Sequence, residues 1–237
     1  MKRALVIAKK ELLSYFNSAI AYIFFTLFLV ILGFLFFRLY FLIGVVSMND
    51  FFSIIPWIFL IFIPSVTMKS WAEEKKTGTM EVLFTMPVTD LVLVTGKFLA
   101  GFAFVSIAII LTFIVPVLVS MTGTLDWGPV ITSYIGLFLL AGSYVAIGNL
   151  ISSFTANQVS AFLVTAVSIL VFMIIGTEPV YSVFPNFIAD IVRNFSLSYH
   201  FQSIQRGVLD SRDMVYYLSI ISLFMFFNIR SIESRNW

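Results

Sequence analysis

Residues 69–90 read KSWAEEKKTGTMEVLFTMPVTD, the densest cluster of charge in an otherwise mostly apolar chain. Hydrophobic runs long enough to cross a membrane flank it on both sides. Connections between packed helices usually take about 2–8 residues, so this one is long. It also has internal order. Thr79 to Thr85 can form a short helix with Met80, Leu83 and Phe84 on one face, at i, i+3 and i+4. Gly78 lets the chain turn into that helix. Pro87 ends it, because proline disfavours helix at the residue before it. Glu73, Glu74, Lys75, Lys76 and Glu81 are left for water or a partner. A charge run is usually a solvated loop. A helix exposing Met and Phe, however, needs a groove to receive it.

Composition sets the fold class. Of 237 residues, 60% are hydrophobic, 17% aromatic and only 11% charged, and mean hydropathy is +1.05. Soluble domains are roughly 45–50% apolar and about 25% charged. The sequence predicts an all-α polytopic membrane protein in one domain. The net charge of +2 gives no electrostatic support for a nucleic-acid partner. With no cysteine and one histidine, His200, disulfides, thiolate metal sites and histidine-built metal sites are not expected.

Six spans are expected, at about 19–43, 51–68, 91–120, 129–151, 159–177 and 214–229. Residues 127–177 carry no charge and are too long for one crossing at ~20 residues per helix. The polar run from Ser152 to Gln158 divides them. Pro56 and Pro64 should bend the second span, Thr89 and Asp90 suit the cap of the third, and Lys97 can snorkel back to the same side. Ahead of the first span, residues 1–17 place Leu5, Ala8, Leu12 and Phe16 on one helical line flanked by Lys2, Arg3, Lys9 and Lys10. That pattern suits a basic helix in the headgroup layer. The following apolar run is too long for the core of a cleaved signal peptide and lacks an A-x-A-like site.

Counting basic residues orients the chain. With a cytoplasmic N-terminus, the inside holds Lys2, Arg3, Lys9, Lys10, Lys69, Lys75, Lys76, Lys97, Arg230 and Arg235. The outside holds Arg38, Arg193, Arg206 and Arg212. Both termini and the charged stretch are therefore expected in the cytoplasm. Residues 178–212 would lie outside. Phe184, Phe187, Ile188, Ile191, Val192 and Phe195, then Leu197, Phe201, Ile204 and Val208, keep a helical period. They predict two short amphipathic helices at the outer leaflet. Arg206 and Asp210 can pair there at i, i+4, with His200 at headgroup level.

No catalytic constellation accompanies these features. Gly96-Lys97 ends like a phosphate-binding loop, but Leu91 and Phe98 break the G-x-x-x-x-G-K-[ST] pattern. His200 lies near acids but without a nucleophile motif. No span has an acid or base near its middle, which argues against an ion-coupled pump.

The run from Phe62 to Val88 resembles the E-x-x-x-G-T-x-E-x-L-x-x-x-P signature of ABC-2 type transporter permeases, closest to the gliding-motility type. The segment from His200 to Asp213 is also similar to that subgroup. The resemblance implies an N-terminal elbow helix at 1–17, a coupling region at 71–90 and an outer hairpin at 178–212. It implies that Glu73, Glu74, Lys75, Lys76, Thr77, Gly78, Thr79, Met80, Glu81, Leu83, Phe84 and Pro87 contact an ABC ATPase subunit, in two copies, which carries the ATP and Mg. It further implies a second permease copy or a paralogue, room for an accessory membrane subunit, and residence in the bacterial cytoplasmic membrane. The alternative is a membrane scaffold or channel-like protein with no ATPase partner.

Overall fold

A computed structural model describes residues 2–80 and 88–234. Every regular element among them is a helix. Helix α1 (Lys2–Phe16) turns directly into α2 (Ala19–Ile43), and α3 (Asn49–Thr67) runs back to the short α4 (Ala72–Thr77). Then come α5 (Asp90–Leu111), α6 (Ile114–Ser120), α7 (Trp127–Ser152) and α8 (Gln158–Ile174). Three short helices follow, α9 (Glu178–Tyr181), α10 (Asn186–Asn194) and α11 (Leu197–Gln205), before the long α12 (Ser211–Glu233).

Among the described residues, five helices are long and apolar enough to cross a membrane: α2, α3 with α4, the α5–α6 pair, α7 and α12. Helix α8 is apolar but has 17 residues, about 25 Å at 1.5 Å each. It stops just before Gly176, where an added Cβ would sit 2.2 Å from the Ser196 Cβ. The start of α11 thus abuts the end of α8, and Ser196 Oγ donates to the Phe172 carbonyl at 3.2 Å.

The break between α5 and α6 has a local cause. Pro116 cannot donate to the carbonyl of Thr112, four residues back, and its ring crowds that carbonyl. The chain interrupts the helix at Thr112 and Phe113. Thr112 Oγ1 donates to Ile109 O at 2.6 Å and bonds the Tyr134 hydroxyl of α7 at 3.2 Å.

Helix α7 is the centre, packed by α3, α5, α8, α11 and α12. Its small residues make that crowding possible. A Cβ on Gly148 would lie 2.2 Å from Thr67 Oγ1 of α3, and one on Gly142 would lie 3.0 Å from Ile221 of α12. Close backbone approach of this kind drives helix association where lipid supplies no hydrophobic force. A second packing unit is aromatic. Phe28 stacks on Phe62 at 4.8 Å and on Phe59 at 5.8 Å, while Phe104 meets Phe16, Phe25 and Tyr15 at 5.2–5.5 Å. Such pairs contribute about 0.5–1.5 kcal/mol beyond their buried area. The phenylalanines of α1, α2, α3 and α5 therefore form shared core.

The N-terminal helix differs from the expected stripe. Ala4 and Ala8 are buried, whereas Leu5 is 60% exposed. The cause is Gly96 of α5, where a Cβ would meet Ile7 at 2.7 Å. The lack of a side chain there lets α1 lie flat against α5 through its alanines. Leu5, Val6 and Leu13 are left outward.

Candidate partner-docking site at the charged end

One end of the bundle gathers the start of α5, the ends of α1, α3, α7 and α12, and all of α4. Helix α4 places acids in its first turn and lysines in its last, which suits the helix dipole. Gly78 stops it with φ +70°, a left-handed conformation that disfavours any residue with a Cβ. Glu73, Lys76, Thr77, Gly78 and Thr79 are exposed, and Glu74 and Lys75 are half-buried.

Three ties hold α4 down. Ser152 Oγ accepts from Trp71 N at 3.1 Å and Ala72 N at 3.2 Å, and it donates to Met68 O at 3.2 Å. Lys75 Nζ donates to the Ser153 carbonyl. Lys97 Nζ contacts Glu74 Oε1 at 2.7 Å, the Ser70 carbonyl at 2.6 Å and Glu11 Oε1 at 3.3 Å. Lys97 is only 3% exposed and lies 4.8 Å from the ring centroid of Trp71, itself fully buried. One cation thus binds α1, α4 and α5 together. Burial raises the Glu74 carboxyl above its ordinary range, against the lowering pull of Lys97. Nearby, Ser153 Oγ meets Ser231 Oγ of α12 at 2.9 Å.

Two expectations are corrected here. Lys97 does not snorkel to the surface: a buried ammonium needs paired acceptors, and Glu11, Glu74 and Ser70 supply them. Met80 is not outward-facing. It is 3% exposed and packs with Trp71, Leu93, Val94 and Ile232. Glu81, Leu83, Phe84 and Pro87, and with them most of the expected helix from Thr79 to Thr85, lie outside the described residues. The residues that sequence reasoning missed are Glu11, Trp71, Lys97 and Ser152. A signal existed for the pair: Lys97 sits two turns inside an apolar helix, and Glu11 is the only acid before Asp50.

The opposite end has its own polar knot. His200 Nδ1 lies 2.6 Å from Asp213 Oδ1 and Nε2 lies 2.9 Å from the Asn194 carbonyl, with the ring stacked on Tyr216 at 3.9 Å. Both ring nitrogens are therefore occupied within the fold, and His200 is 8% exposed. The expected Arg206–Asp210 pair is not among the ion pairs of the described residues. Asp210 caps α12 instead, accepting from Arg212 N at 2.9 Å. The two amphipathic segments also part company. Leu197, Phe201 and Ile204 of α11 are buried against the bundle, while Phe187 of α10 is 78% exposed. No group of acids and histidine that could hold a metal occurs among the described residues.

These features define a multi-pass helical membrane subunit that presents a tethered, charged helix at one end. The family described as ABC-2 family transporter protein matches residues 44–228, most of the chain. The chain belongs to that family, as a permease subunit of an ABC transporter. No curated protein matches it.

Proposed function

We propose that this chain couples ATP hydrolysis by a separate ATPase subunit to export, or to transmission of force across the membrane as in the gliding-motility-type transporters it resembles. Six helices cross the bacterial cytoplasmic membrane in this reading, α8 included, with both termini and α4 in the cytoplasm. Two ATPase copies dock beneath two permease chains, either identical or paralogous. Each ATPase meets the exposed face of α4, at Glu73, Lys76, Thr77, Gly78 and Thr79.

The observation that carries this is the triple tether of α4. A surface loop has no need of buried bonds to three other segments. A helix that must pass a push inward does, because displacement of α4 is then felt at once by α1, α5 and the α7–α8 turn. Nucleotide binding shifts such an equilibrium only through its different affinity for the two arrangements.

The test is co-purification of the ATPase with the full-length permease. Exchanging the exposed charges, Glu73→Lys with Lys76→Glu, removes the complementary contacts without touching the core. The expected result is loss of the ATPase with helical content unchanged. Full co-purification would refute docking on α4. Met80→Asp is unsuitable for this purpose, since it buries a carboxylate beside Trp71 and Ile232.

A further inference from the structure

A cavity of about 380 Å³ opens between α1 and the start of α5, lined by Lys2, Arg3, Val6, Ile7, Lys10, Glu11, Val88, Leu93 and Lys97. Its floor is apolar, formed by Val6, Ile7, Val88 and Leu93, and its rim is cationic. Neither Lys2 nor Lys10 forms an ion pair among the described residues. We infer that this cleft binds one anionic glycerophospholipid, with the phosphate at Lys2 and Lys10 and the upper acyl chain against Val6, Ile7 and Leu93. The inference rests on the reading above that places this end at the cytoplasmic face.

The chemistry of the cleft selects its occupant. A free anion would use the lysines but leave the apolar floor in water. A neutral lipid would use the floor but leave the rim without a counter-charge. Helix α1 also turns Leu5, Val6 and Leu13 outward beside Lys9 and Lys10, so apolar and basic groups share its open face. A helix of that kind lies in the headgroup layer, where lipid has direct access to the cleft. Lys97 and Glu11 also line the cleft, and Lys97 is the residue that holds Glu74 of α4. A bound lipid therefore rests on the junction through which α4 is tethered.

Titration of the detergent-purified full chain with phosphatidylglycerol, read by native mass spectrometry, tests this directly. Each basic residue near an anionic surface contributes roughly a fivefold gain in affinity. Lys10→Gln is expected to weaken phosphatidylglycerol binding about fivefold, and Lys2→Gln with Lys10→Gln about twenty-fivefold. Lys9→Gln removes the same charge from the same helix outside the cleft and is expected to leave binding unchanged. Val6→Trp fills the cleft from an exposed position and is expected to abolish tight binding with charge intact. Equal loss from Lys9→Gln and Lys10→Gln would overturn the proposal in favour of diffuse surface charge. So would equal binding of phosphatidylcholine, competition by inorganic phosphate at comparable concentration, or full binding by Val6→Trp. The ATPase pull-down is scored separately. No phosphatidylglycerol binding by the unmutated chain, with the ATPase still lost from Glu73→Lys with Lys76→Glu, sinks the lipid site alone. Lipid binding as expected, with the ATPase retained by that double variant, sinks the docking reading alone.

Discussion

The two ends of the bundle are each closed by a buried residue that gathers polar partners, but they are wired differently. Lys97 collects partners from positions 11, 70 and 74, two stretches that the sequence places far from each other and from α5. His200 collects Asn194, Asp213 and Tyr216, all within one local stretch. The charged end is therefore a junction for the whole chain, whereas the hairpin end is a self-contained clasp. Tyr216 and Tyr217 strengthen the clasp by donating to the Phe195 and Leu197 carbonyls at 2.7 and 2.6 Å. Damage at the first end should spread, and damage at the second should stay put.

The strongest test of that contrast is Lys97→Ala. It leaves two carboxylates facing each other in a half-buried site and is expected to cost roughly 3–5 kcal/mol. Thermal unfolding in detergent should fall accordingly, with protease sensitivity rising at both α1 and α4. Asp213→Ala is expected to cost less, about 1.5–3 kcal/mol, since one charged hydrogen bond is lost. New cleavage should then be confined to residues 178–212. Cleavage at α4 in this variant would break the contrast. Ser152→Ala strips the acceptor from two backbone N–H groups and is expected to cost about 1–2 kcal/mol, loosening α4 while the hairpin stays protected.

The smallest effect is a pH slope. Burial raises Glu74, so the folded chain holds its proton more tightly than the unfolded chain does. The associated stability is fully present below the ordinary glutamate value of 4.5 and is lost as pH rises through the higher folded value. Glu74→Gln should flatten that part of the stability profile. An unchanged slope would show that Glu74 is not the group responsible.

Much of the bundle could be read from composition and period alone. Hydrophobic runs mark the long helices because lipid admits few alternatives to a closed backbone ladder. The helical period of 186–194 and 197–205 was legible for the same reason. Periodicity gives a face but not its neighbour, however. Nothing in the pattern of α11 told that its apolar side meets α7 rather than lipid. Likewise, the line through Leu5 and Leu12 overlooked the flat contact that Gly96 permits. At the site, the charges of α4 were evident, but their partners were not. Lys97 and Ser152 become partners of α4 only through the fold, and long-range pairing of single residues leaves no local period. Met80 shows the same limit: an apolar residue in a charged stretch points either to a partner or home, and here it points home.

The contact between Gly148 and Thr67 carries a mechanical consequence. It is a close approach of α3 and α7, one helical turn from the Ser152 tether. Beyond it, α3 extends from Thr67 to Asn49 as an arm about 27 Å long. A tilt of about 4° about that point swings the tip of the arm by about 2 Å. The tip is gripped by Gln205, whose Nε2 donates to the Asn49 carbonyl at 2.7 Å and to Ser53 Oγ at 3.2 Å. On the proposed coupling role, a push at α4 reaches the Gln205 hydrogen bonds at the far end of α3.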